Sequence, residues 1–280
     1  MIKRLFSVTL AAFFTVNVQA AFTFTPKENN KVGLYLGGQI WQSVASGFFG
    51  EKNTLIDFNL KKEQQNNFFV AFVHPYSLLP NARISITTID TKGEITSTQA
   101  FNFGDGTFTI GDNVNASFNV SYVDYTLYYG LFNNRLFSFD LGLTARDFNG
   151  DVTVTRPKRL AEANCYDDLP ETVCGESTDT DTPTGKIKTD EVLPMLYAAT
   201  NISLPLTNLS VFAQGDFSFV DDHSISDYQV GLSYDLNDSR VVDFNVTLGY
   251  RVVKIAFEDL NNLYTDLDFK GVFVGVITHF

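Results

Sequence analysis

Leu136-Phe137-Ser138-Phe139-Asp140-Leu141-Gly142-Leu143-Thr144-Ala145-Arg146 alternates without a break. One face carries Phe137, Phe139, Leu141, Leu143 and Ala145; the other carries Ser138, Asp140, Gly142, Thr144 and Arg146. Period two is the mark of a β-strand, because successive side chains leave opposite faces of the pleat. The run is about ten residues long, which is what a tilted strand needs to cross a bilayer. Strands of soluble sheets are usually about five or six residues. The stretch 242–252 repeats the pattern, with Phe244, Val246, Leu248, Tyr250 and Val252 opposite Asp243, Asn245, Thr247, Gly249 and Arg251. The polar faces mix Gly, Ser, Thr, Asp and Arg, the composition a narrow wet lumen asks for.

The same reading along the chain predicts an all-β fold: a closed antiparallel transmembrane β-barrel of about ten strands, with eight or twelve left open. The strands centre on Val32–Trp41, Asn67–His74, Ala82–Ile89, Val120–Leu131, Leu136–Asp147, Val192–Leu204, Leu209–Phe219, Ile225–Leu236, Val241–Phe257 and Tyr264–Phe280. Short links at 75–81, 132–135, 205–208 and 237–240 contain Pro, Asn or Asp, as tight turns do. Long links lie near 42–66, 90–119 and 155–191. Short periplasmic turns and long outer loops are the asymmetry of membrane barrels. Two features bear on the count. Thr54–Leu60 alternates and reads as a further strand, and Asn149-Gly150 carries the type I′ hairpin signal.

The first twenty residues read as a signal peptide: Lys3 and Arg4, an apolar run from Leu5 to Val16, and Val18-Gln19-Ala20 before the cut. That run is shorter than the ~20 apolar residues of a membrane helix. Residues 21–280 form the barrel in this reading, exported to the outer membrane of a Gram-negative cell. A net charge of −12 argues against a nucleic-acid partner, which calls for clustered Lys and Arg. The expected partners are outer-membrane lipid, lipopolysaccharide and the barrel assembly machinery; the sequence leaves the oligomeric state open.

The last strand ends on Phe280, with Val272, Val274 and Val276 on the same face. This resembles the terminal signature by which outer-membrane barrels are recognised for assembly, with Thr278 where a second aromatic is usual. The segments His74-Pro75-Tyr76-Ser77-Leu78-Leu79-Pro80-Asn81, Leu127-Tyr128-Tyr129-Gly130-Leu131-Phe132-Asn133-Asn134 and Asp140–Arg146 resemble recurring segments of an outer-membrane β-barrel family of marine and related gammaproteobacteria. The resemblance implies the fold and the location. It brings no catalytic motif with it.

Candidate functional residues are few. Tyr35, Gln39, Arg83, Asp140, Arg146, Asp216, Asp235, Asp243 and Arg251 are assigned to the lumen face. Charges of both signs in a confined interior should pair, so they form a network that fills the barrel or, alternatively, line a narrow channel for small polar solutes. Cys165 and Cys174 are the only cysteines. They fall in the longest outer link, in an oxidising compartment, and are expected to form a disulfide. Asp221-Asp222-His223-Ser224 is the one outer run that a surface hydrolase could use. Alone it lacks partners on the opposite wall, and it reads as a solvated turn. No cofactor and no metal site are expected; the acidic run Asp179–Gly185 lacks the EF-hand spacing. The reading is therefore a non-enzymatic barrel with a narrow polar lumen and displayed loops.

Overall fold

The computed structural model describes residues 32–52, 54–134, 136–157, 164–166, 173–175, 182–220, 223–237 and 242–280, with the backbone alone at 164–166, 173–175, 219–220 and 237. The signal-peptide assignment lies outside these residues. The strands in chain order are β1 (Gly33–Glu51), β2 (Thr54–Ile56), β3 (Glu63–Val73), β4 (Asn81–Thr96), β5 (Phe101–Phe103), β6 (Gly106–Phe108), β7 (Asn113–Asn133), β8 (Phe137–Thr155), β9 (Asn164–Tyr166), β10 (Val173–Gly175), β11 (Thr184–Ser203), β12 (Leu209–Val220), β13 (His223–Asn237), β14 (Asp243–Leu260) and β15 (Leu263–His279).

Ten of them form a closed antiparallel meander, β1-β3-β4-β7-β8-β11-β12-β13-β14-β15, sealed where β15 pairs with β1. β2 is a three-residue addition to β1, and β5–β6 and β9–β10 are separate hairpins in the outer links. Followed from strand to strand, the row that starts at Ser203 on β11 passes Ser210, Ser233, Thr247, Gly275, Gln39, Asn67, Thr87, Tyr122 and Phe148. It returns to β11 at Glu191. The offset between 203 and 191 is the stagger that tilts the strands, at about 35–45° in barrels of this kind.

The strands are longer than the alternation suggested. β7 begins at Asn113 inside the expected long link, β8 runs to Thr155, and β11 begins at Thr184. The reason is a change of phase. On β8 the outward residues are apolar up to Ala145 and then polar: Asp147, Asn149, Asp151 and Thr153. The inward residues are polar up to Arg146 and then apolar: Phe148, Val152 and Val154. Read as one apolar stripe, the pattern stops at Arg146, while the strand continues. Asn149-Gly150, expected as a hairpin, lies inside β8 and pairs on both sides, with Ser121-Val120 and Asp190-Thr189. The alternation at 54–60 yields only β2; Phe58 turns inward and is fully buried, and the backbone folds along β4, with Lys61 N–H donating to Lys92 O at 2.8 Å.

The inversion recurs around the barrel. On β7, Val114, Ala116, Phe118 and Val120 face in above Tyr122 and Asp124, while the outward residues pass from Asn119 and Ser121 to Tyr125, Leu127 and Tyr129. On β14, Val253, Ile255 and Phe257 face in beyond Arg251, and Leu248 and Tyr250 face out before Lys254. The end with short turns is thus apolar outside and polar inside. The opposite end is polar outside and apolar inside, with Val44, Phe48, Leu55, Ile110 and Val192 among the outward departures. Among the described residues no helix is long and apolar enough to cross a membrane.

Candidate functional site: the barrel interior

Three layers fill the interior. The outermost is a dry core in which Phe49, Phe58, Phe103, Phe108, Phe118 and Phe148 are fully buried. Half of these come from the outer links. The β5–β6 hairpin folds back over the mouth and inserts Phe101, Phe103 and Phe108; Phe101 and Phe108 stack at 4.8 Å, and Phe49 stacks on Phe58 at 4.4 Å. Gly104, at φ +54, turns the hairpin where it meets the backbone of Lys186, at a distance no side chain would permit. Its N–H donates to Glu51 Oε1 at 2.8 Å. Close by, Asp112 accepts from the Thr109 backbone N–H at 2.8 Å, and this bond holds its carboxyl below the usual range, with Arg156 also contributing.

Below the dry core lies an ion cluster. Arg146 bonds Asp124 through Nε (2.7 Å) and Nη2 (2.9 Å) and reaches Asp227 at 2.8 Å. Arg251 bonds both oxygens of Asp227, at 2.9 and 2.8 Å. Tyr122 donates its hydroxyl to Asp227 at 2.7 Å, and its ring lies 3.8 Å under the Arg146 guanidinium. The cluster also touches the aromatic layer: the Arg251 guanidinium sits over the Trp41 ring at 5.3 Å, and the Tyr122 ring packs on Phe148 at 5.4 Å. Bidentate pairs of this kind satisfy charges that water no longer reaches. Thr144 donates to Asp216 at 2.6 Å beside a small polar cavity lined by Asn67, Arg83, Gln214, Asp216, Gln229 and Arg251.

The third layer, toward the short turns, mixes aromatic and polar groups. Tyr35 stacks on His279 at 4.2 Å, Tyr128 and Tyr197 lie 5.5 Å apart, and Arg83 covers the Phe69 ring at 4.6 Å.

Of the residues assigned to the lumen, Tyr35, Arg83, Asp140, Arg146, Asp216 and Arg251 are buried in the interior, and Gln39 bonds Gln229 across it at 3.2 Å. Asp243 lies at the rim, 3.5 Å from His279 Nδ1. Asp235 is also at the rim and half-buried, where the β13–β14 register shifts. The geometry brings only Arg146 and Arg251 of that set into the ion cluster. Its other members, Asp124, Asp227 and Tyr122, were missed. The signal for Asp227 was available: it shares the parity of Asp235 on β13. Asp124 was masked by tyrosines on both faces of β7.

Val272, Val274 and Val276 face outward on β15 and are exposed, and the Phe280 backbone exchanges two hydrogen bonds with Leu34, at 3.0 and 3.3 Å. Cys165 and Cys174 stand directly opposite each other across β9–β10; their side chains lie outside the described residues. His223 is 3.9 Å from Glu191 and packs edge-on against Phe257, while Asp221 and Asp222 lie outside the described residues. Among the described residues no three His, Cys, Asp or Glu side chains are grouped to hold a metal ion.

No protein-family model and no curated protein matches this sequence. Solved structures do. The outer membrane protease OmpT from Escherichia coli is similar at 10% identity and a TM-score of 0.43, over 88% of this chain and 96% of that one. The transport unit of the autotransporter AIDA-I from Escherichia coli follows at 8% and 0.37, over 89% and 88%. The deltaS2S3 mutant of the monoaromatic hydrocarbon channel TodX stands at 9% and 0.35, over 89% and 90%. At such identities nothing of those proteins' activities passes to this chain.

Proposed function

We propose that this chain is an integral outer-membrane barrel without enzymatic activity, closed to solute flow, which holds a packed outer storey above the membrane. The observation that carries this reading is the dry aromatic core across the outer half of the lumen. A porin interior is polar and water-filled. Here a solute would meet fully buried Phe49, Phe58, Phe103, Phe108 and Phe118, and beneath them a bonded ion cluster. The outward belt supports the membrane assignment: Leu36, Ile40, Phe68, Ile84, Leu143, Leu248 and Val274 are exposed apolar residues from six strands of the wall. Lipid-facing Val272, Val274, Val276 and Phe280 on the closing strand are the surface we assign to recognition by the assembly machinery. The test is planar-bilayer recording of the purified barrel. We expect no stable openings in the wild type. Deleting 100–109, which removes the β5–β6 hairpin and its three phenylalanines from the mouth, should produce a conductance. Porin-like openings of the wild-type protein would overturn the reading.

A further inference from the structure

The charges of the interior are not all matched to one another. Asp124 and Asp227 hold Arg146 and Arg251, and Asp216 accepts from Thr144. Asp140 is different. It is 1% exposed, and neither of its carboxylate oxygens accepts a hydrogen bond from the protein. Asn201, fully buried, likewise has both side-chain amide atoms without a partner. The two are neighbours by register. Asp140 pairs with Ala199 and Ser138 pairs with Asn201, so Asn201 is the diagonal partner of Asp140 on the same inward face. Small residues surround Asp140, which stands between Gly130 on β7 and Ala199 on β11 and is two residues from Gly142. A Cβ at Gly130 would come within 3.3 Å of Asp140 Oδ1. By register, Tyr128 and Tyr197 both pair with Gly142, two residues from Asp140, and their rings lie 5.5 Å apart.

We propose that Asp140 and Asn201 form a binding site for a small monovalent cation, reached from the end of the barrel that carries the short turns. A buried carboxylate calls for a counter-charge, and the groups here are those a cation selects: carboxylate oxygens and an amide oxygen. Inward hydroxyls lie beyond Asn201 toward the same end of the barrel. Ser203, Ser210 and Ser233 stand in one register row, each buried and without a protein partner, which is the situation of groups that bind water. One carboxylate in the niche fits one positive charge. The proposal does not depend on which membrane holds the barrel or on whether it conducts.

The test uses the full folded barrel in detergent micelles at constant ionic strength, with N-methylglucamine chloride replaced stepwise by sodium or potassium chloride. The midpoint of thermal unfolding, read from heat-modifiable gel mobility, should rise by a few degrees and saturate with at least one of the two ions. A saturable tyrosine difference spectrum should accompany it. Asp140→Asn should abolish both responses, and Asn201→Ala should raise the half-saturating concentration about tenfold, the loss of one coordinating group. A wild-type protein indifferent to both ions would overturn the site, as would an Asp140→Asn barrel that responds like the wild type. Should Asp140→Asn fail to fold, infrared spectroscopy of the wild type decides: the carbonyl stretch of a buried protonated carboxyl that persists at saturating sodium and potassium would show a proton in place of the cation.

Discussion

The two ends of this barrel use one strand geometry with opposite chemistry. Toward the short turns, Leu141 and Leu143 face out and Asp140 and Thr144 face in; further along β8, Asp151 and Thr153 face out and Val152 and Val154 face in. On the proposed placement in a membrane, the difference follows from the solvent on the outside. Lipid rewards apolar side chains on the wall and leaves the interior to polar groups. Water reverses the preference, and burying a dry interior then drives folding. The strands cross from one regime to the other within a few residues. The ion cluster of Asp124, Arg146, Asp227 and Arg251 sits at that crossing and gives the dry core a polar floor whose charges are mutually bonded.

The sharpest way to break this comparison is at the floor. Asp227→Ala leaves Arg251 without its carboxylate and Tyr122 without its acceptor, and should cost about 3–5 kcal/mol of stability in urea unfolding. Asp227→Leu combined with Arg251→Met should cost less than Asp227→Ala alone, since no unpaired charge remains. A double variant weaker than the single one would deny that charge pairing is what the floor provides.

In the dry storey, Phe118→Ala should also cost about 3–5 kcal/mol, because Phe118 is fully buried against Phe49 and Phe269. Fluorescence of Trp41, near the floor, should report the loosening at lower denaturant than the unfolding of the membrane belt. Coincident transitions would show one cooperative unit instead of two storeys.

A single strand face offers a finer comparison. Leu143→Arg places a charge in mid-belt and should cost about 2–4 kcal/mol in lipid, whereas Thr153→Arg, outward on the same strand but past the inversion, should cost close to nothing. Equal costs, measured by urea titration in liposomes, would move the membrane boundary.

The smallest effect is expected at the β9–β10 hairpin. Cys165 and Cys174 are opposed across β9–β10, and we expect them to be bonded in protein taken from membranes. Replacing both with Ser should raise protease cutting within 158–181 and leave the barrel assembled, a local loss of about 2–3 kcal/mol for a short loop. Free thiols in unreduced protein, titrated with a maleimide, would remove the bond.

A barrel of about ten strands, their order and the polarity of the lumen near the short turns were legible from alternation and the spacing of the links, because period two is local. The inverted half was written in the sequence as plainly. Val114, Ala116, Phe118 and Val120 alternate with Asn115, Ser117 and Asn119. It reads as a long link because its phase runs against the rest of β7, and a single apolar stripe cannot hold both. What the sequence determined by itself is the set of residues on each face. Which of those residues meet was decided only by closure of the barrel. Asp124, Arg146, Asp227 and Arg251 come from four strands, and the stagger brings them to one level. Phe58 and Phe103 became core only when the outer links folded back over the mouth. Contacts between residues so far apart in the chain depend on register and tilt, and no local pattern carries either.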